Sequence, residues 1–294
     1  MKPVPLTFAE DRHEAVWGCE RWLVSAHPSA PSVVAAGPFA GRRLDELCET
    51  FGAELAGTRS GGRFPLLIKE IAAVRNLSIQ VHPNERTCRT TGGEPKSEMW
   101  RVLGSEPGGV LFAGVRKGVS RTDLARAIAD GAVENVVLRH AAVEGENVFI
   151  PGGLVHALGG GVRVMEVQQS SDTTFRLYDW GRLGADGKPR TLHVREGLDA
   201  AEPGLEPVLT RGGFECPFFR IRILSPMGEM EMPATPDTFH VLFAEKGGFM
   251  LDSSAGTLGI PQSGAVLVPA VSSVAVRPTS AETRLVDIVM GQEG

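Results

Sequence analysis

The chain has 294 residues, about two domains of typical size, and its 42% hydrophobic and 22% charged residues exclude a disordered polar chain. Its 36 glycines and 20 prolines make up about a fifth of the sequence, which indicates many turns between short strands and argues against a helical bundle. The formal net charge of −5 argues against nucleic acid or an acidic membrane surface as a partner.

Two segments have the apolar periodicity of short helices. Over 44–51 the apolar residues recur at i, i+3, i+4 and i+7, which places them on one helical face. The second predicted helix covers 122–129. Ser120 and Asp123 resemble a capping box at its start, and Gly131 is its predicted end.

Most of the remaining sequence is predicted to form strands separated by turns. Few helices intervene, which favours antiparallel barrels or sandwiches over a doubly wound sheet. The polar segment 199–207, rich in Pro and Gly, is the predicted linker, and it divides the chain into domains 1–205 and 206–294. The predicted strands are 66–68, 110–112, 136–138, 162–167, 218–224, 238–244, 248–251, 265–268, 274–276 and 283–289.

A weak internal repeat is consistent with two related barrels. The segment 145–151 and the segment 264–269 each combine a glycine, an apolar strand and a proline. Five residues after the first proline comes His156, and five residues after the second comes Val274. If the two units are duplicated, only the first has kept a ligand-binding side chain.

The cysteines and the N-terminal segment predict a cytoplasmic protein. The first ten residues contain no apolar stretch like that of a signal peptide, and no apolar run reaches the about 18 residues of a membrane span. No two cysteines have the spacing of a zinc clip or a redox pair. We therefore expect reduced thiols at Cys19, Cys48, Cys88 and Cys216.

The segment 76–83 alternates strictly between apolar and polar residues. As a strand it would place Ser78, Gln80 and His82 on one face. Inside a barrel such a polar face would need a bound partner, because buried polar groups are costly when they are unsatisfied. The alternative is an edge strand whose polar face lies in water.

Two further segments contain residues that bind metals. Glu98 enters an apolar strand, and His156 lies within the apolar segment 150–158. Two imidazoles, a carboxylate and an amide oxygen suit zinc with an open position for water or substrate. The alternative for His156 alone is a core histidine whose hydrogen bonds are satisfied by the protein.

The third informative block is 166–180. Arg176 is flanked by Phe175 and Leu177, so it points to the opposite side of its strand from those apolar residues. An arginine that points into a barrel needs an anionic partner. The alternative is a structural salt bridge to Asp172 or Asp179.

Four separated blocks of the sequence form one pattern, and they are Gln80-Val81-His82-Pro83, Lys96-Ser97-Glu98-Met99-Trp100, Ile150 to His156 and Gln168 to Trp180. Together they resemble the short bacterial form of the type I mannose-6-phosphate isomerases. The resemblance covers about residues 14–196, whereas the sequence beyond about residue 210 resembles only a generic cupin barrel. Ser97 and Leu154 depart from the residues that relatives usually carry.

The resemblance implies a mostly β protein of two cupin (jelly-roll-like) antiparallel β-barrels with a few short helices. It implies a zinc-dependent enzyme that interconverts mannose 6-phosphate and fructose 6-phosphate through an enediolate, with one zinc ion per chain. The catalytic zinc-binding barrel would be 1–205 and the second barrel, without metal, 206–294. Carried over block by block, the zinc ligands are Gln80, His82, Glu98 and His156.

The remaining roles follow from the same resemblance. Arg176 would stabilise the enediolate, and Ser78 and Lys69 would bind substrate. Lys96 would be the acid/base or its relay, with Glu98 or a zinc-bound hydroxide as the alternative proton carrier. The expected partner is a small sugar phosphate, with no nucleic acid and no membrane, and the chain would be a monomer or a homodimer.

Two other functions remain open at this point. Histidines with one carboxylate also suit an Fe(II)-dependent cupin oxygenase, although Gln80 and the positive side chains argue against it. The second is a sugar-phosphate-binding cupin that has kept the ligands but lost turnover.

Overall fold

A computed structural model of the chain describes residues 2–184 and 186–292. The described residues are mostly strand, with a few short helices, as the sequence predicts. The helices are α1 (Leu44–Phe51), α2 (Ala53–Ala56), α3 (Cys88–Thr91), α4 (Arg121–Ala129) and α5 (Val194–Ala200), with a 3-10 turn at Val133–Asn135.

The strands of the first part of the chain belong to two sheets. Their bounds are β1 (Asp11–Ala15), β2 (Gly18–Ser25), β3 (Leu66–Ala73), β4 (Ile79–Val81), β5 (Glu98–Ser105), β6 (Val110–Val115), β7 (Val137–Ala141), β8 (Asn147–Ile150), β9 (His156–Leu158), β10 (Val162–Gln169), β11 (Phe175–Tyr178) and β12 (Val208–Thr210). One sheet has the order β1-β2-β3-β10-β5-β8-β12 and the other β11-β4-β9-β6-β7.

The strands of the last part form two more sheets. They are β13 (Phe214–Glu215), β14 (Phe219–Leu224), β15 (Met230–Met232), β16 (His240–Lys246), β17 (Phe249–Ser253), β18 (Gly256–Ile260), β19 (Ala265–Val268), β20 (Val274–Pro278) and β21 (Arg284–Met290). The orders are β13-β14-β21-β16-β19 and β15-β20-β17-β18. The pairing within both sheets is antiparallel, which is the arrangement expected for cupin-type barrels.

The residue contacts divide the chain into two units. One unit comprises 1–11, 22–68 and 212–294, and the other comprises 12–21 and 69–211. The second of these has two apolar clusters, one around Trp100 and Val164 and one around Phe112 and Leu177. The first has a cluster around Phe249 and Leu285. The boundary between residues 205 and 206 stays a prediction.

The two predicted helices are confirmed. Helix α1 has the predicted bounds and buries Leu44, Leu47 and Cys48 on its apolar face. Helix α4 begins one residue earlier than predicted. Ser120 and Asp123 form the capping box, with the Asp123 N–H donating to Ser120 Oγ.

Strand β3 is longer than the apolar run that predicted it. It continues past Ile68 through Lys69 and Glu70, two charged residues that are at most 9% exposed. Ion pairs allow this burial: Lys69 contacts Glu20 at 2.9 Å, and Glu70 contacts Arg163 at 3.2 Å. Paired charges therefore let the strand continue through Lys69 and Glu70 to the apolar residues 71–73.

The two halves of the predicted repeat both form strands, β8 and β19. Val274, the counterpart of His156, is 2% exposed and packs in the apolar cluster of its unit. The four cysteines are free thiols in the structure. No helix within residues 2–184 and 186–292 is long and apolar enough to span a membrane.

Candidate active site and metal centre

Three buried side chains that can bind a metal come together in the structure, and they are His82, Glu98 and His156. One ligand atom of each lies within 4.8 Å of the others. Glu98 Oε2 is 3.3 Å from His82 Nε2, and Glu98 Oε1 is 3.4 Å from His156 Nε2. All three residues are at most 1% exposed. A metal could therefore contact two imidazoles and a carboxylate without any rearrangement of the chain's strands.

Strand pairing explains why these residues meet. Strand β4 lies between β11 and β9, and Gln80 of β4 is directly opposite His156 of β9. Gln80 Nε2 is 3.3 Å from His156 Nε2. Ser78 and His82 are buried on the same face, so the alternative of an edge strand with its polar face in water is wrong.

The outer nitrogen of each histidine is held by a backbone carbonyl. His82 Nδ1 lies 2.8 Å from Thr173 O, and His156 Nδ1 lies 2.8 Å from Leu154 O. Because a carbonyl only accepts hydrogen bonds, Nδ1 carries the proton in both rings. The lone pair of each Nε2 therefore faces Glu98, as it must in a metal ligand.

The electrostatics of the cluster favour neutral imidazoles beside an ionised carboxylate. Burial, followed by the nearby Lys96 ammonium, lowers the pKa of His82 to about 3. Burial also lowers the pKa of His156. Burial alone would raise the pKa of Glu98, but Lys96 and His82 outweigh it and hold this pKa well below its ordinary value.

Glu98 is the member of the cluster whose hydrogen bonds are least satisfied. Both of its carboxylate oxygens are buried without a hydrogen-bond donor in good geometry among the described residues. Lys96 Nζ is 2.8 Å from Glu98 Oε2 as an ion pair and 3.2 Å from His82 Nε2. A buried carboxylate in this state requires positive charge close by, which suits a divalent cation.

The loop before His156 is packed closely against the segment after His82. A Cβ on Gly152 would lie 2.8 Å from Pro83 O, and the Gly153 N–H donates to His82 O at 2.8 Å. Ser97, one of the two departures from the family, accepts a hydrogen bond from the Gly152 N–H at 3.1 Å. Leu154, the other, is fully buried, and the bond to His156 uses its backbone.

A cavity of about 420 Å³ contains the other site residues predicted from the sequence. Gln80, Ser78, Lys69, Lys96 and Arg176 all line it. The sequence therefore predicted a set of residues that the fold brings to one cavity, although their individual roles stay predictions.

Glu166 also lines the cavity, although the sequence did not predict it as a site residue. It lies in β10 opposite Trp100, whose Nε1 donates to Glu166 Oε2 at 2.8 Å. Burial, followed by the charge of Glu98, raises the pKa of Glu166. An acid between two apolar residues, Met165 and Val167, resembles the signal at Glu98, an acid that enters an apolar strand, so the pattern could have revealed it.

Lys69 is more strongly paired than the sequence suggested. Its Nζ is 2.9 Å from Glu20 and 3.1 Å from Glu166. Burial would lower the pKa of Lys69, but these two carboxylates outweigh it and raise the pKa. Lys69 therefore adds a hydrogen-bond donor to the cavity but little net positive charge.

Arg176 lies beside the cluster of His82, Glu98 and His156. It is opposite Gln80 in the pairing of β11 with β4, and its Nη1 donates to Thr191 O at 2.8 Å. The predicted alternative was a salt bridge to Asp172 or Asp179. Asp179 instead pairs with Arg182 and Arg190, and Arg176 forms no ion pair within residues 2–184 and 186–292.

Comparisons with known proteins show which family the chain resembles. Residues 8–98 match the family model for the catalytic domain of phosphomannose isomerase type I. A mannose-6-phosphate isomerase from Streptococcus mutans is 31% identical over 260 residues, which cover 79% of this chain and 82% of the relative. The chain belongs to the type I phosphomannose isomerase family. A second family member, ManA of Bacillus subtilis, is 32% identical over 251 residues, which cover 75% of this chain and 79% of the relative.

Solved structures of phosphomannose isomerases share the fold. The crystal structure of the mannose 6-phosphate isomerase from Bacillus subtilis superimposes with a TM-score of 0.86 and 27% identity, covering 97% of this chain and 99% of that one. A mannose 6-phosphate isomerase structure bound with zinc and yttrium has a TM-score of 0.73 at 16% identity, covering 98% of this chain and all of that one. At that identity the second likeness concerns the fold alone.

Proposed function

We propose that the chain interconverts mannose 6-phosphate and fructose 6-phosphate with one zinc ion per chain, through an enediolate intermediate. The observation that carries the proposal is the buried cluster of His82, Glu98 and His156, which lies next to a cavity lined by several positively charged side chains. Membership of the phosphomannose isomerase family supports the activity. A metal cofactor is supported by the donor set, and zinc is the metal that such donors suit.

The residues present fit a zinc ion. His82 and His156 would bind through Nε2 and Glu98 through its carboxylate, whose oxygens lack hydrogen-bond donors in good geometry. Gln80 would add its amide oxygen, in place of the amide nitrogen that is now assigned next to His156. When bound, zinc would supply Lewis-acid stabilisation of the negative charge that develops on the sugar oxygens.

The chain's own side chains would provide the proton transfer and the remaining electrostatics. Isomerisation moves a proton between C1 and C2 and another between O1 and O2. Lys96 lines the cavity and contacts Glu98, so its Nζ is placed to hold or relay a proton beside the metal ligands. Arg176 would stabilise the charge of the enediolate, since its guanidinium forms no ion pair with a carboxylate in the part of the chain that the structure describes.

Ser78 and Lys69 would bind substrate hydroxyl groups. Ser78 Oγ lies 3.2 Å from the Gln80 amide. With the amide oxygen turned toward the metal, Ser78 would accept from Gln80 Nε2, and its hydroxyl proton would be left to donate into the cavity. Lys69 is neutralised by Glu20 and Glu166, so we expect it to recognise the sugar by a hydrogen bond and not by its charge.

A coupled isomerase assay with metal analysis tests the proposal. We expect activity with fructose 6-phosphate to disappear after chelation and to return when zinc is added, in proportion to bound zinc. His82→Ala should lose both the bound zinc and the isomerase activity. The control His13→Ala, which changes an exposed histidine, should keep both.

Three results would contradict the proposal. Full activity after complete chelation would remove the metal from the reaction. Oxygen consumption that depends on added Fe(II), without isomerisation, would indicate an oxygenase. A chain that binds fructose 6-phosphate but exchanges no substrate proton with solvent and forms no mannose 6-phosphate would instead be a binding module.

A further inference from the structure

The wall of the cavity includes a positively charged side chain that the proposed chemistry does not use. Arg190 lines the same cavity as Gln80, Lys96 and Arg176, and its side chain is 21% exposed. It precedes α5 and lies far along the sequence from each of the predicted metal ligands. Neither metal binding nor proton transfer requires it.

Asp179 fixes the orientation of Arg190. Arg190 Nε donates to Asp179 Oδ2 at 2.7 Å, and its Nη2 donates to Asp179 Oδ1. This two-point contact holds the guanidinium plane. No described residue accepts a hydrogen bond from Arg190 Nη1, so this part of the fork is available to a ligand.

The backbone around Arg190 is also constrained. Residues 182–184 pair with 188–190 through a bridge between Leu183 and Pro189, and the Gly184 N–H donates to Lys188 O at 2.7 Å. Asp179 accepts from arginines at both ends of this paired segment, Arg182 and Arg190. The position of Arg190 is therefore set before any ligand arrives.

The charges near Arg190 leave a positive excess. Arg176, Arg182 and Arg190 share one carboxylate, Asp179, in their ion pairs and electrostatic contacts. Burial, and then the charge of Arg190, lowers the pKa of Arg176. The exposed Asp172 also lines the cavity, so this excess is reduced but not cancelled.

Three of the other positively charged side chains of the region are paired with carboxylates, and the fourth, Arg176, already has a proposed role at the enediolate. Lys69 contacts two carboxylates and Lys96 contacts Glu98. Arg182 donates to Asp179 and to Asn76 O and is absent from the cavity wall. Arg176 lies opposite Gln80, beside the candidate metal ligands. Arg190 is thus the cavity cation best placed to receive a separate anionic group.

We propose that Arg190, oriented by Asp179, binds the phosphate group of the substrate. The inference rests on the proposed function for the identity of the substrate, but the chemistry requires only a phosphate dianion. A planar guanidinium with free N–H groups recognises phosphate oxygens through directed, charge-assisted hydrogen bonds. Asp179 is the positioning residue, since it touches Arg190 and not the phosphate.

Kinetics and direct binding test this subsite. In Arg190→Gln we expect KM for fructose 6-phosphate and the inhibition constant of inorganic phosphate to rise together by about ten- to a hundredfold, the loss expected for a hydrogen bond to a charged group. The kcat and the zinc content should stay close to wild type. Arg190→Lys should recover part of the loss, and Arg195→Gln, at a side chain that is 87% exposed on α5, should change nothing.

Asp179 provides a second measurement. Asp179→Asn should weaken inhibition by inorganic phosphate in the same direction as Arg190→Gln. The double variant should be no worse than Arg190→Gln alone, because both changes act on one contact. Effects of the two changes that simply add would contradict the positioning role.

Titration of inorganic phosphate into wild type and Arg190→Gln, with and without zinc, separates the remaining outcomes. Phosphate binding that requires zinc and ignores Arg190 would overturn the proposal, as would a fall in kcat with phosphate inhibition unchanged. If the wild type binds phosphate through Arg190 but has no isomerase activity, the subsite stands and the proposed function fails.

Discussion

Replacing Arg176 with alanine should separate catalysis from folding. The only hydrogen bond from its side chain among the described residues runs from Nη1 to Thr191 O, and it has no ion pair there. Losing a hydrogen bond of this kind costs about 0.5–1.5 kcal/mol, against a total stability of about 5–15 kcal/mol for a typical domain. Arg176→Ala should therefore fold and retain zinc.

The expected effect on the reaction is larger. A group that stabilises charge formed only along the reaction path contributes about 3–4 kcal/mol, which is on the order of a hundred- to a thousandfold in rate. Steady-state kinetics with fructose 6-phosphate should show this loss in kcat with KM almost unchanged. Arg176→Lys should recover only part of it, since an ammonium lacks the planar fork.

The opposite kinetic pattern would refute this reasoning. A large increase in KM with kcat unchanged would make Arg176 a clamp for the sugar or the phosphate, and the stabilising role would pass to Lys96 or to the metal. Arg195→Ala is the matched control, because it removes an exposed arginine outside the cavity. Thermal melts and zinc analysis of all variants would show whether any loss of activity is merely a loss of fold.

Three further predictions concern the metal centre. His82→Ala should lose bound zinc and activity, whereas Ile79→Val on the opposite face should cost only about 0.5–1.5 kcal/mol of stability; normal zinc occupancy in His82→Ala would contradict the ligand assignment. Metal analysis should return one zinc per chain, since Val274 stands in place of the histidine in the predicted second barrel, 206–294, and two zinc ions would reveal another centre. The pKa of His82 falls from 6.5 to about 3 on folding, so the unfolded chain binds the proton first. Metal-free protein should therefore lose stability as the pH falls from about 6.5 toward 3. A midpoint of urea unfolding that stays constant over this pH range would contradict the prediction.

Local sequence patterns predicted local structure well. The apolar spacing of 44–51 gave helix α1 its bounds, and Ser120 with Asp123 correctly marked the start of α4. Both features depend on residues within one or two turns of each other, so a sequence contains all the relevant information.

The site could be predicted only in part, because some of its contacts join segments that are far apart in the sequence. Alternation in 76–83 placed Ser78, Gln80 and His82 on one face, and the structure buries that face beside His156. The role of Asp179 could not be predicted, because its contact with Arg190 depends on how residues 182–190 fold back on themselves. The unit that joins 1–11 and 22–68 to 212–294 likewise depends on contacts between distant segments.

The buried charges of the cavity are best explained by chemistry and not by stability. Lys69, Lys96, Glu98 and Glu166 are all at most 9% exposed, and each contacts at least one residue of opposite charge. Apolar residues of similar volume would stabilise a fold at least as well as buried ion pairs do. What such a set provides is fixed donors and acceptors in a site of low dielectric, where each acts more strongly on a bound charge than it would in water. Together with Arg176 and Arg190 on the same cavity wall, these groups suit a polar, anionic substrate whose charge distribution changes as it reacts.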